Sequence, residues 1–200
     1  MEISVNRKYI LPLSSAKEYC PATIKIARYI LNGSTPYKDK EKKSKAISAR
    51  ELSAAIGLEG SKLLLNKHLQ LKNELEHFLG SGQLFKAVYY QEGIYTFFLT
   101  DEGILAGDAT KYHIHYDSSV WKEMDSSYSV LLYEALKDLA ADSPEPVLTI
   151  TRETFPELKL TRMSNMYRTI KRAVEQVNKT DLTIVKTSYS DEKIEISASI

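Results

Sequence analysis

The sequence predicts an α+β protein built of two tandem winged-helix domains, each a helix-turn-helix followed by a β-hairpin wing. Three observations carry this. Near the C-terminal end, Met163, Met166, Tyr167, Ile170, Ala173, Val174 and Val177 recur at the three- and four-residue spacing of an amphipathic helix. A two-stranded ribbon follows, with Leu182, Ile184 and Val185 inside the strand Asp181 to Tyr189, a turn at Ser190-Asp191, and Ile194, Ile196, Ala198 and Ile200 alternating along the return. The third observation is that the order helix, short glycine turn, helix, hairpin already occurs once between Ser48 and Leu99.

Composition bounds this reading. Two hundred residues suit one large domain or two of about a hundred each, long enough for cores without disulfides or metals. The apolar fraction of 43% and charged fraction of 26% belong to a globular chain. Cys20, the single cysteine, points to a reducing compartment and away from a cysteine-ligated zinc site. Met1 to Leu13 lacks a signal-peptide core, and no run reaches the length of a membrane span, so the expected compartment is the cytoplasm and no membrane is expected as a partner. Charge is segregated along the chain. Residues 1–50 carry 11 Lys/Arg against 4 Asp/Glu, residues 51–148 carry 7 against 15, and residues 149–200 carry 9 against 7. Such a pattern predicts a basic and an acidic surface on a nearly neutral protein, although an uneven solvated surface gives the same count.

In chain order, the first helix falls within Ser14 to Leu31, started or kinked by Pro21 and closed by Asn32-Gly33. Ser34 to Lys45 is lysine-rich with almost no apolar residue, and reads as a solvated loop. Ser48-Ala-Arg-Glu51 is a capping box opening a helix that ends at Gly57. A second helix is predicted over Ser61 to Leu79, with Leu64, Leu71, Leu75 and Phe78 inward and Lys62, Asn66, Gln70 and Asn73 outward. Leu84 to Tyr90 and Ile94 to Leu99 then form a hairpin around Gln91-Glu92-Gly93. Lys111 to Tyr116 reads as a strand and Ser126 to Ala140 as a helix, while Ser143-Pro-Glu-Pro146 breaks the chain. Thr149 to Leu158 is predicted as a short helix or turn leading to the last helix. The expected domains are therefore 1–125 and 126–200.

The candidate site is the polar face of that last helix. Thr161, Asn165, Arg168, Arg172 and Gln176 project away from the apolar stripe, and Arg162, Thr169 and Lys171 lie beside them. Side chains of these types bond base edges or phosphates in the major groove, while Lys186 and Lys193 on the wing reach adjacent backbone. The same pattern fits an ordinary solvated face, since Arg and Lys are common there.

An enzyme is the competing class. His113-Ile-His115 places both imidazoles on one face of a strand, the metal motif of rolling-circle nickases, with Tyr128 or Tyr133 on the next helix as nucleophile. No acid completes a motif, however, and both tyrosines fit an apolar helix face. There is no phosphate-cradling glycine loop or nucleophile elbow, and Cys20 has no recognisable histidine partner. The expectation is a non-enzymatic protein with no catalytic residue, metal or cofactor.

The run Ser127 to Leu136, with its Tyr133-Glu-Ala-Leu136, and the run Tyr167 to Leu182 resemble plasmid replication initiators of two tandem winged-helix domains. In that family the recognition helix ends in Ala-x-x-x-Ile-Asn-x-x-Thr-Asp-Leu. Ala173, Val177, Asn178, Thr180, Asp181 and Leu182 follow that order here, with Val177 in the isoleucine position and one residue rather than two between Asn178 and Thr180, and the likeness spans roughly 75 residues. The resemblance implies binding of double-stranded DNA at repeated origin sites, mainly through the second domain. It implies homodimers formed through the first domain, with monomers as active initiators and host replication proteins as further partners. A winged-helix transcription regulator shares the fold and the DNA, and is the alternative.

Overall fold

A computed structural model describes residues 1–32, 41, 43–58, 60, 62–80, 82–107, 113–151, 154, 163–190 and 192–199. Helices and strands are both abundant, and the architecture is α+β. The chain divides into two compact units, 1–9 with 19–122, and 10–18 with 123–200. The predicted division into 1–125 and 126–200 contains no such exchange. Residues 10–18 join the second unit because Leu13, Ser15 and Ala16, in the 3-10 helix Leu13–Lys17, are buried there against its first helix.

In the first unit, β1 (Glu2–Asn6) leads to α1 (Pro21–Leu31), which starts at the proline with Cys20 as N-cap. Proline is favoured there because the first helical N–H has no intrahelical acceptor. Nearly all of α1 is buried, including Lys25 and Arg28. Their cations are spent on backbone carbonyls: Lys25 Nζ donates to Trp121 O at 2.7 Å and Arg28 Nη2 to Tyr9 O at 3.0 Å. Lys45 does the same, donating to Ile30 O at 2.7 Å and Asn32 O at 3.2 Å, and burial lowers its pKa to about 8. Three cations of the basic stretch 1–50 therefore sit inside the molecule, so its charge excess is a poor guide to a basic surface.

Next come β2 (Ser44–Ser48), α2 (Ala49–Ala55), α3 (Lys62–Asn66), α4 (His68–Glu76), β3 (Phe85–Gln91), β4 (Ile94–Leu99), α5 (Asp101–Leu105) and β5 (His113–Asp117). The capping box forms, with Ser48 Oγ accepting from Glu51 N at 3.1 Å and Glu51 Oε2 from Ser48 N at 3.3 Å. The helix predicted as continuous over Ser61 to Leu79 breaks at Lys67 into α3 and α4. Leu64, Leu71, Leu75 and Phe78 are buried as their spacing predicts. Ser44 and Lys45, read as loop, begin β2, which pairs with β4 from Ser44↔Phe98 to Ser48↔Ile94. The sheet order is β2-β4-β3, and β1 pairs with β5. Gly103 of α5 has no room for a side chain, because a Cβ there would meet Leu84 O at 2.2 Å.

The second unit holds α6 (Ser127–Ala140), β6 (Val147–Thr151), α7 (Met163–Val177), β7 (Thr183–Tyr189) and β8 (Lys193–Ser199). Its sheet runs β6-β8-β7, the strand order of the first unit repeated. Thr149 is not in a helix or turn as predicted; it belongs to β6, paired with β8 from Val147↔Ser197 to Thr151↔Lys193. The cause is that Ile150 is buried while Val147 and Thr149 face out, an alternation satisfied by pairing with a strand 42 to 50 residues on. Most of the predicted segment beyond Thr151 lies outside the described residues.

Candidate nucleic-acid interface

Helix α7 buries Met166, Ile170, Ala173, Val174 and Val177, and packs against α6. Full burial of side chains such as Ile170 is worth about 1.5–3 kcal/mol each, which sets the helix rotation firmly. Asn165, Arg168, Lys171, Arg172 and Glu175 are exposed on the opposite arc. Arg168 and Lys171 make no ion pair among the described residues. Glu175 is an acid on this face that the sequence reading leaves out.

The remaining candidates divide. Thr169 is half-buried and its Oγ1 donates back to Asn165 O at 3.1 Å. Gln176, expected to project outward, is buried: its Nε2 donates to Asp125 Oδ1, and its Oε1 accepts from Asp125 N at 3.3 Å. The physical reason is position. Gln176 lies at the edge of the apolar stripe, where the chain entering α6 covers it. Arg172 Nη2 donates to Asp125 Oδ2 at 2.6 Å. Thr161 and Arg162 lie outside the described residues.

The wing is joined to the helix at both ends. Asn178 Oδ1 accepts from Ile184 N at 2.7 Å, and Thr180 Oγ1 donates to Val177 O at 2.7 Å. Asp181 accepts from Tyr133 Oη at 2.8 Å and Lys137 Nζ at 2.7 Å. Burial works to raise the Asp181 pKa, and those two bonds overcome it, so the carboxyl titrates below its ordinary value. The residues that carry the family resemblance here therefore do structural work. They lock the end of α7 onto α6 and aim β7. At the far end Tyr167 Oη donates to Ser190 O, and the Tyr167 and Tyr189 rings meet edge-on at 5.1 Å between centroids. A bulge between Ile184 and Lys186 leaves Val185 and Lys186 exposed in succession. Lys193 is exposed and pairs with Glu195 at 2.8 Å.

In the first unit, β1 and β5 pair Ser4↔His115 and Asn6↔His113. His113 and His115 share a strand face with ring centroids 6.3 Å apart, but His113 is buried and His115 lies 3.4 Å from the Glu2 carboxylate. Tyr133 is fully buried and committed to Asp181. Among the described residues no cluster of three or more metal-ligating side chains occurs, and no helix is long and apolar enough to cross a membrane.

No protein-family model matches the sequence, and no curated protein matches it. The fold has a solved counterpart, a Pi initiator protein crystallised in complex with iteron DNA. The two structures superpose with a TM-score of 0.67 at 13% identity, over 100% of this chain and 97% of that one. At that identity the likeness is one of fold.

Proposed function

We propose that this chain is a sequence-specific, double-stranded-DNA-binding replication initiator of the plasmid type, built of two tandem winged-helix domains and acting without enzymatic chemistry. The observation that carries the reading is α7 with its wing: an apolar stripe fixes the helix, Asn165, Arg168 and Lys171 stand exposed on its outer arc, and Lys186 is exposed beside them on the hairpin. The full-length fold likeness to an initiator bound to iteron DNA supports it, as do the shared strand orders β2-β4-β3 and β6-β8-β7. On this reading α7 enters the major groove of a repeated origin site, the wing touches flanking phosphates, and the protein works in the cytoplasm. The first unit contributes to a homodimer, and host replication proteins are further partners.

Fluorescence-anisotropy titration of random-sequence duplex across a salt series tests this, together with the Arg168→Ala, Lys171→Ala double variant and a magnesium-dependent nicking assay. The reading expects salt-sensitive binding that falls in the double variant, without nicking. Absence of binding at low salt sinks it, and nicking abolished by His113→Ala replaces it with the nuclease.

A further inference from the structure

Asp125 belongs to neither α7 nor the wing, yet both of its carboxylate oxygens are committed to α7. Oδ1 accepts from Gln176 Nε2, and Oδ2 accepts from Arg172 Nη2 at 2.6 Å. The backbone N–H of Asp125 donates to Gln176 Oε1 at 3.3 Å, so the buried amide grips the residue twice. The carboxylate is therefore fixed from behind, while the Arg172 side chain is 66% exposed. A guanidinium has five N–H donors in a planar fork, and one bond to a fixed carboxylate sets its plane while leaving the outer edge available.

We infer that Asp125 is a positioning residue that presents Arg172 to a guanine edge, with Gln176 as its support. This rests on the reading of α7 as the DNA-reading helix. An exposed ion pair contributes little to stability by itself. Holding a long side chain in its bound rotamer removes an ordering cost from association, and this is where the contact acts. The alternative is that Asp125 competes with phosphate for Arg172 and merely weakens binding. The two-point grip of Gln176, on the Asp125 backbone N–H and on Oδ1, opposes that alternative, since it holds the carboxylate with Oδ2 on the arginine.

The test begins with a duplex that the full chain enriches from a randomised pool, compared with random-sequence duplex at fixed salt. Asp125→Asn keeps an acceptor for Gln176 but loses the charge facing Arg172. It is expected to lower the ratio of enriched to random affinity about tenfold, as Arg172→Ala does, and the double variant is expected to lose no more than either alone. Arg172→Lys, which keeps the charge without the fork, is expected to lose the ratio as well. An unchanged ratio in Asp125→Asn, or equal tightening on both duplexes that persists in the Arg172→Ala background, overturns the inference and leaves α7 as the reading helix. Retention of the ratio in Arg172→Lys also overturns it. If the pool yields no enriched sequence, the sequence-specific reading itself fails, and the positioning role fails with it.

Discussion

Helices α4 and α7 each lead into a hairpin whose second strand pairs with a strand from before the helix, β2 in one unit and β6 in the other. Their polar faces have opposite fates. On α4, Glu74 accepts from Cys20 N at 2.7 Å and Thr23 Oγ1 at 2.5 Å, which ties the helix to the start of α1. Glu76 accepts from Val88 N at 2.8 Å, closing an N–H on the outer edge of β3 that another strand would otherwise take. Gln70 donates to Glu74 at 2.6 Å. The polar groups of α4 thus serve their own unit. On α7, Arg172, Gln176 and Thr169 are engaged internally, while Asn165, Arg168 and Lys171 stand outward. The same architecture commits its polar face to packing or leaves it outward according to whether backbone donors lie within reach of that face.

Breaking the α4 side first gives the largest effect. Gly103→Ala drives a Cβ into Leu84 O and is expected to destabilise the first unit by about 3 kcal/mol, read as a lower urea midpoint. Glu74→Ala strands the Cys20 N–H and the Thr23 hydroxyl, and is expected to cost about 1–3 kcal/mol of stability without changing DNA affinity. Arg168→Ala should do the reverse. Its melting curve stays within about 0.5 kcal/mol of the parent, while specific DNA binding weakens by about 1–3 kcal/mol. A loss below about threefold at fixed salt counts against its role.

Lys45 sharpens the contrast through pH. Its folded pKa is lowered to about 8 from 10.5, so between those values the unfolded chain binds more protons and stability rises with pH. Stability lost as pH falls from about 10.5 to about 8 should be visible as a difference between the parent and Lys45→Met, and a pH-independent difference contradicts it. The smallest effect belongs to the wing. Lys186→Ala should reduce the slope of log affinity against log salt by about one, and Lys193→Ala, whose cation already faces Glu195, by less.

Much of this was legible from local pattern. The period of Met166, Ile170, Ala173 and Val177 gave the buried face of α7, the Ser48 to Glu51 box opened α2, and alternation along 193–199 marked β8. What escaped was long-range pairing. β2 and β6 are five-residue strands whose partners lie some fifty residues on, and a lysine-rich lead-in or a nearby proline disguised each of them. The lysines of residues 1–50 read as surface charge because nothing in their spacing tells that Lys25 and Lys45 reach carbonyls of Trp121 and Ile30. Asp125 was illegible for the same reason. It stands 51 residues from Gln176 in the chain, with no motif between them.

The most direct test is backbone hydrogen exchange of the full chain with and without the enriched duplex at fixed salt. The reading of α7 and its wing as the DNA surface predicts added protection within 163–177 and 183–199, with α4 at 68–76 unchanged. Protection centred on α4, or DNA binding that leaves α7 unprotected, would contradict it.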